Sequence, residues 1–262
     1  MIDLTDRIIV LTGAAGILGR RYVSALAELG ARVIALDLAA ALAADATLAA
    51  QPNVHAYPVD LSDVGDITAV SRMIVETHGA PHGLVNNAAS KGRDIGAFML
   101  SGTEITPETW REVSAVNLDA SFFLTREIGR SMVSAGRGSI LFIGSIYGEM
   151  APDPRIYEGS FYLGSQIGTP PVYSATKAAV GGLTRYLAAL WGEHGVRVNC
   201  VSPGGVSSGQ GGPFAEKYAA RVPLRRMATP DDMVGPVAFL LSDAAAYITG
   251  QTLLVDGGLS IW

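Results

Sequence analysis

Short apolar runs rich in β-branched residues alternate with longer segments of helical period along the chain. That alternation marks repeated strand–helix–strand units around a parallel sheet. Residues 7–12, 32–37, 54–59, 83–86, 139–144, 196–201 and 251–255 read as strands. Between them, 18–29, 63–78, 108–134, 172–194 and 231–241 read as helices, the first closed by Gly30. No repeat or low-complexity linker interrupts the order. The expected fold class is α/β: a single domain over 1–262, doubly wound, with a parallel sheet of about seven strands flanked by helices.

Two segments break the alternation. Residues 146–171 form a long stretch rich in Gly, Pro, Tyr and polar side chains, and 204–213 carries five glycines before a short helix near 214–221. Each follows the C-terminal end of a strand, where open α/β sheets place ligands, and long irregular segments in compact domains are usually functional. Both are therefore assigned to the substrate site, as an insertion at about 146–171 and a loop at about 204–227.

Composition narrows the classes. Apolar residues make up 49% and charged residues 16%, enough for a large core. The net charge of −5, with no basic cluster, argues against nucleic acid as a partner. No run approaches the roughly 18 apolar residues of a membrane helix, and Asp3, Asp6 and Arg7 interrupt the start too early for a signal-peptide core. The one cysteine, Cys200, lies in an apolar run and reads as a core thiol, so a cytoplasmic protein is expected. The four histidines show no metal-ligand spacing, and no metal site is assigned.

The first strand runs into Gly13, Ala14, Ala15, Gly16, Ile17, Leu18 and Gly19, which open the first helix. Glycines there let backbone approach a pyrophosphate while the helix N-terminus offers free N–H groups, as in a Rossmann-type dinucleotide site. Asp37 ends the second strand, where a carboxylate can accept from ribose hydroxyls and repel a 2′-phosphate, so NAD rather than NADP is the expected cofactor. Asp60, before Leu61, ends the third strand and suits the adenine edge, or else caps the helix that follows. At the other end, Tyr173 and Lys177 stand four residues apart and share a helix face. A nearby ammonium favours the phenolate, so Lys177 is expected to lower the Tyr173 pKa towards neutrality.

Together with Asn86, Asn87, Ala88 and Ala89, Asn117, Ser145, Pro203, Gly204 and the C-terminal Asp256, Gly257 and Gly258, these residues make the chain resemble the single-domain branch of the short-chain dehydrogenase/reductase family over nearly its whole length. The resemblance implies a catalytic tetrad of Asn117, Ser145, Tyr173 and Lys177. Ser145 would bond the substrate oxygen, Tyr173 would move the proton, Lys177 would also bind the nicotinamide ribose, and Asn117 would hold a water. Asn87, Ala88, Ala89, Pro203, Gly204, Val206 and Ser208 would complete the NAD site, and Ser145, Tyr173 and Gly205 would meet the substrate. From the insertion, Arg155 is expected to grip a carboxylate or phosphate, with Tyr157 beside it. The family resemblance also implies a homo-oligomer, dimer or tetramer, packed through the helices near 108–134 and 172–194.

Three departures from the family pattern stand out. The glycine loop is spaced TGxxGxxG, more common in a larger two-lobed branch whose second lobe this chain is too short to hold. Ala89 replaces a usual glycine, and Ser208 a usual threonine. The family serine normally precedes the tyrosine by about a dozen residues, which falls near Ser160. Ser145 is preferred because strand 139–144 delivers it to the site. The insertion and the C-terminal Gly257, Gly258, Leu259, Ser260, Ile261 and Trp262 most resemble enzymes of sugar-acid and nonulosonic-acid pathways. The expected activity is thus NAD-dependent oxidoreduction of a polar secondary alcohol or ketone, the expected substrate being a sugar, sugar acid or related polyhydroxylated compound. Rival readings are a 3-oxoacyl-thioester reductase, against which Asp37 argues, and a non-catalytic NAD(H)-binding regulator, which would typically have lost Tyr173 or Lys177.

Overall fold

The computed structural model describes residues 2–99, 104–162, 164–166, 168–209 and 212–262. Seven parallel strands form the main sheet: β1 (Ile8–Thr12), β2 (Arg32–Asp37), β3 (Val54–Pro58), β4 (Gly83–Asn86), β5 (Gly138–Ile143), β8 (Val196–Pro203) and β9 (Thr252–Val255). The remaining two, β6 (Phe161–Tyr162) and β7 (Ser165–Gln166), pair as a small antiparallel hairpin inside the 146–171 segment. Strand order in the sheet is β3-β2-β1-β4-β5-β8-β9. Strand β1, IIVLT, is wholly buried and reads as an almost unbroken apolar run, whereas the almost equally buried β8 carries Arg197 and Asn199, whose side chains bond backbone carbonyls.

Helices cover both faces. On one lie α1 (Ile17–Glu28) and α7 (Pro230–Leu241), whose Tyr22, Val23, Leu26, Met233 and Val237 pack with Ile9, Leu11 and Val33 of the sheet. On the other lie α2 (Val64–His78), α4 (Ser121–Ser134) and α5 (Pro171–Trp191), which bury Ile67, Ile74, Leu124, Ile128, Val180 and Leu187 against Val10, Ile34, Leu84 and Phe142. Cys200 is buried in that second core, where desolvation pushes its thiol pKa up. No helix among the described residues is long and apolar enough to cross a membrane.

The segment read as one helix over 108–134 is three pieces. Helix α3 (Pro107–Ser114) passes into a π-helical turn, Ala115–Ala120, and only then into α4. A π turn inserts one extra residue per turn without ending the helix, and here it carries Asn117. Residues 146–171 are more ordered than an irregular loop. They hold a short helix (Ile146–Glu149), a 3-10 turn (Pro154–Tyr157) and the hairpin, and pack through Ile156 and Tyr157 onto Phe214 and Tyr218 of α6 (Pro213–Arg221). Leu163 and Ile167 of this segment, and Gln210 and Gly211 of the 204–227 loop, lie outside the described residues.

The chain order reverses between β1 and β4, the switch point at which doubly wound sheets open a crevice at their carboxyl ends. At the opposite end, Arg197 donates to the carbonyls of Leu240, Ser242 and Ile248, and Arg7 pairs with Asp243. Those arginines are used in closing the C-terminus of α7.

Candidate active site

A groove of about 640 Å³ follows the carboxyl ends of β1 to β4. Its floor is the turn from β1 into α1. Gly13 has φ +67° and a Cβ there would come within 2.9 Å of the Ala88 Cα, while a Cβ on Gly19 would overlap the Gly13 carbonyl. Only glycine serves at either place. No side chain caps α1, so its first amides are left for a ligand. Gly13, Ala15, Gly16, Ile17, Leu18, Gly19, Asp37, Asp60, Leu61, Asn87, Ala88, Ala89, Tyr173, Val206 and Ser208 all line this groove.

Local bonding explains the positions. Asp37 Oδ2 accepts from the Ala15 amide at 2.8 Å and its Oδ1 from Leu38, tying the end of β2 to the glycine turn. Asp60 accepts from the amide and hydroxyl of Ser62, whereas the cap of α2 is Asp63, which accepts from Gly65 and Asp66. Asn87 directs its amide nitrogen to the carbonyls of Thr12 and Gly13, and the Thr12 hydroxyl accepts from the Asn87 and Ala88 amides. Asn87 thus braces the glycine turn while bordering the groove.

A second cavity of about 360 Å³ opens off the first, and Leu18, Ser90, Lys91, Tyr173 and Val206 border both. Ser145, Tyr157, Lys177, Pro203, Gly204 and Gly205 line it as well, together with Phe98, Tyr147 and Phe214. Ser145 ends β5 and caps the Ile146–Glu149 turn through the Tyr147 amide at 3.2 Å. Its hydroxyl is near enough to the Tyr173 phenol to hold that group's pKa down in part. Lys177, one turn along α5, is 5% exposed and donates to the Ile143 carbonyl at 2.6 Å. Close packing allows this: a Cβ on Gly148 would strike the Lys177 backbone at 2.6 Å. Desolvation brings the Lys177 pKa down to about 8.

Three expectations need correction. Lys177 does not lower the Tyr173 pKa here. Burial raises it, the Ser145 hydroxyl opposing in part, because the ammonium is bonded to Ile143 and lies 5.8 Å from the Tyr173 ring centre. Arg155 borders neither cavity. Its side chain is 79% exposed and forks onto Asp153 two residues back at 2.8 and 2.9 Å, and Asp153 is held by Arg221 as well. Asn117 is beside the site rather than in it. It is 1% exposed, its Oδ1 accepts from the Ser90 amide at 2.7 Å, and it fastens the loop after β4. Ser160 is buried, borders neither cavity and has no hydrogen-bond partner for its hydroxyl among the described residues. Tyr157, by contrast, bonds Tyr147 and Thr169 and stacks on Phe214 at 5.6 Å, forming a cavity wall. Sequence reasoning missed Lys91. The available signal was its place just past the carboxyl end of β4, among residues already assigned to the groove.

A family model described as enoyl-(acyl carrier protein) reductase matches residues 13–260. The chain is 34% identical to a galactitol 2-dehydrogenase of Rhizobium johnstonii, over 97% of this chain and 95% of that protein. It is 32% identical to a D-threitol dehydrogenase of Mycolicibacterium smegmatis, over 98% and 94%. A short-chain dehydrogenase from Leptospira borgpetersenii, solved with bound NAD+, superposes with a TM-score of 0.85 at 32% identity, covering 98% of this chain and 94% of that one. The protein belongs to the short-chain dehydrogenase/reductase family.

Proposed function

We propose that the protein is an NAD-dependent oxidoreductase acting on a polar secondary alcohol or its ketone, the substrate being a sugar, sugar acid or related polyhydroxylated compound. The observation that carries this reading is the joined pair of cavities, with Tyr173 on the boundary and Ser145 and Lys177 beside it in the smaller one. The names of the threitol and galactitol relatives support a polyol-like substrate.

The groove fits a dinucleotide: uncapped α1 amides suit a pyrophosphate, and Asp37 borders the far end with no Arg or Lys beside it among the described lining residues, which favours NAD. The groove residues would hold the cofactor, which would supply the hydride chemistry. Ser145 would bond the substrate oxygen. In the reductive direction Tyr173 gives its phenolic proton to that oxygen. In oxidation it must first lose this proton and then accept the one leaving the alcohol. Because burial raises the Tyr173 pKa, the phenol is the form present near neutral pH, so the rate of alcohol oxidation should climb as the solution becomes alkaline. Asn117 acts as a positioning residue, holding the Ser90 loop against the boundary. The same reading carries a homo-oligomer, since Tyr186 and Leu190, four apart on α5, stay 64% and 48% exposed.

The test is NADH formation with a panel of polyols, sugar acids and sugars. Tyr173→Phe should lower turnover by roughly 10²–10⁴-fold and abolish the alkaline rise, with NADH binding unchanged. A variant as active as the parent would refute the assignment.

A further inference from the structure

Tyr147 lines the smaller cavity two residues past Ser145, on the short helix Ile146–Glu149. Its place is fixed from three sides. The Ser145 hydroxyl accepts from its amide, Gly148 packs on α5 too closely for a Cβ, and its ring lies against the small core of Tyr157, Phe214 and Tyr218. From its phenol a chain of hydroxyls runs along the cavity wall. Tyr157 donates to Tyr147 at 2.9 Å and shares a hydrogen bond of 2.7 Å with Thr169. All three residues line the cavity.

Each of these hydroxyls carries one proton. Tyr157 gives its own to Tyr147, so Thr169 must donate to Tyr157, and the chain points one way. It ends on Tyr147, whose proton has no acceptor among the described residues. Phe98, Met99, Phe214 and Met227, on the same walls, offer it none. Burial raises the pKa of both phenols, so the chain remains a donor through the neutral range. A hydroxyl that already accepts a hydrogen bond is also the stronger donor. We propose that Tyr147 selects polyhydroxylated substrates, its phenol donating to the oxygen of a further substrate hydroxyl while Ser145, two residues before it, faces the reacting oxygen. This rests on the dehydrogenase reading and names the residue that tells a polyol from a simple alcohol. A site built to bond a hydroxyl rejects the analogue without it, because the donor is then left unpaired.

Tyr147→Phe and Tyr157→Phe decide the matter, with D-threitol against 2-butanol and galactitol against 2-hexanol as probes at saturating NAD. Each pair shares a carbon chain and differs only in its hydroxyls. The parent should favour at least one polyol over its matched alcohol by tenfold or more in kcat/KM. Tyr147→Phe should lower that ratio by about ten- to hundredfold, through KM for the polyol, with NADH affinity unchanged. Tyr157→Phe, which removes only the incoming donation, should lower it less. A parent without the preference overturns the proposal and leaves the dehydrogenase reading standing. So does a ratio unchanged in Tyr147→Phe, an equal loss on both alcohols included, which would make the phenol a brace for the turn after Ser145. A larger fall in Tyr157→Phe than in Tyr147→Phe overturns it too, and makes Tyr157 the contact. If none of the four is oxidised, the fluorescence of bound NADH titrated with galactitol decides instead. Saturable binding in the parent that Tyr147→Phe weakens tenfold or more supports the contact, and no binding, or equal binding in both, refutes it.

Discussion

Replacing Lys177 by methionine tests the energetics of the site without any knowledge of substrate. The ammonium is buried, 5% exposed, and donates to the Ile143 carbonyl. Burial lowers its pKa from 10.5 to about 8. At about 1.4 kcal/mol per pH unit, holding the lysine charged in the folded chain at pH 7 costs about 3 kcal/mol relative to the unfolded chain. Because the folded value is the lower one, the unfolded chain carries the extra proton between pH 8 and 10.5. Stability from this group therefore rises with pH across that window, and the penalty is present in full below it. Between pH 7 and 9.5 about 2 kcal/mol of the penalty should disappear. Methionine removes the penalty but leaves the Ile143 carbonyl unpaired, at about 1–3 kcal/mol. The two effects nearly cancel at pH 7. Urea unfolding of parent and Lys177→Met at matched chain concentration, followed by tryptophan fluorescence at pH 7, 8.5 and 9.5, measures the difference. The variant should equal the parent within about 2 kcal/mol at pH 7 and fall behind by about 2 kcal/mol more at pH 9.5. A stability difference that does not change with pH would show that the buried lysine is not charged at pH 7, and the argument would fail.

Asp37→Ser should weaken NAD binding by about 1–3 kcal/mol and narrow the preference over NADP, as read by Kd for both reduced cofactors. A parent that already binds them equally would remove the basis for that effect. Ser145→Ala should lower kcat by at least tenfold without changing NADH affinity, while Ser160→Ala, whose hydroxyl has no hydrogen-bond partner among the described residues, should keep kcat and, at most, alter thermal stability. The opposite ranking would mean that Ser160 is the residue at the chemistry.

The strands and their flanking helices were legible because parallel strands buried on both faces are mostly apolar, and helices on a sheet must show one apolar stripe. The extra residue of the π turn left no mark in that stripe: Leu118 still packs on the core and Ala120 is still buried, so 108–134 reads as one helix. At the site, residue type and strand ends located Tyr173, Ser145 and the glycine turn. Arg155 was misplaced because its partner, Asp153, is local, and a guanidinium satisfied two residues away need not look further. The direction of the Tyr173 pKa was illegible for another reason. Spacing of four on a helix shows that Lys177 is near, but not that its ammonium is held by β5 or how little water reaches the phenol.

These errors share a physical origin that also separates the two halves of the site. Ser145, Tyr173 and Lys177 sit on β5 and α5, elements joined to the second core through Phe142, Val180 and Leu187, and their mutual placement is set by packing close enough to exclude a Cβ at Gly148. Sequence period reports such packing well. The other walls of the smaller cavity come from the loop after β4, from the 146–171 segment and from α6, the last two sharing a small core of their own around Tyr157, Phe214 and Tyr218. That core bonds the phenol of Tyr218 to the Gly205 amide and docks Lys217 on the carbonyls of Arg155 and Glu158. Chemistry and recognition are thus held by different cores. On the proposed reading, substitutions on α6 should reshape the cavity while Ser145 and Tyr173 keep their places, so changes of substrate range are to be sought in this outer core.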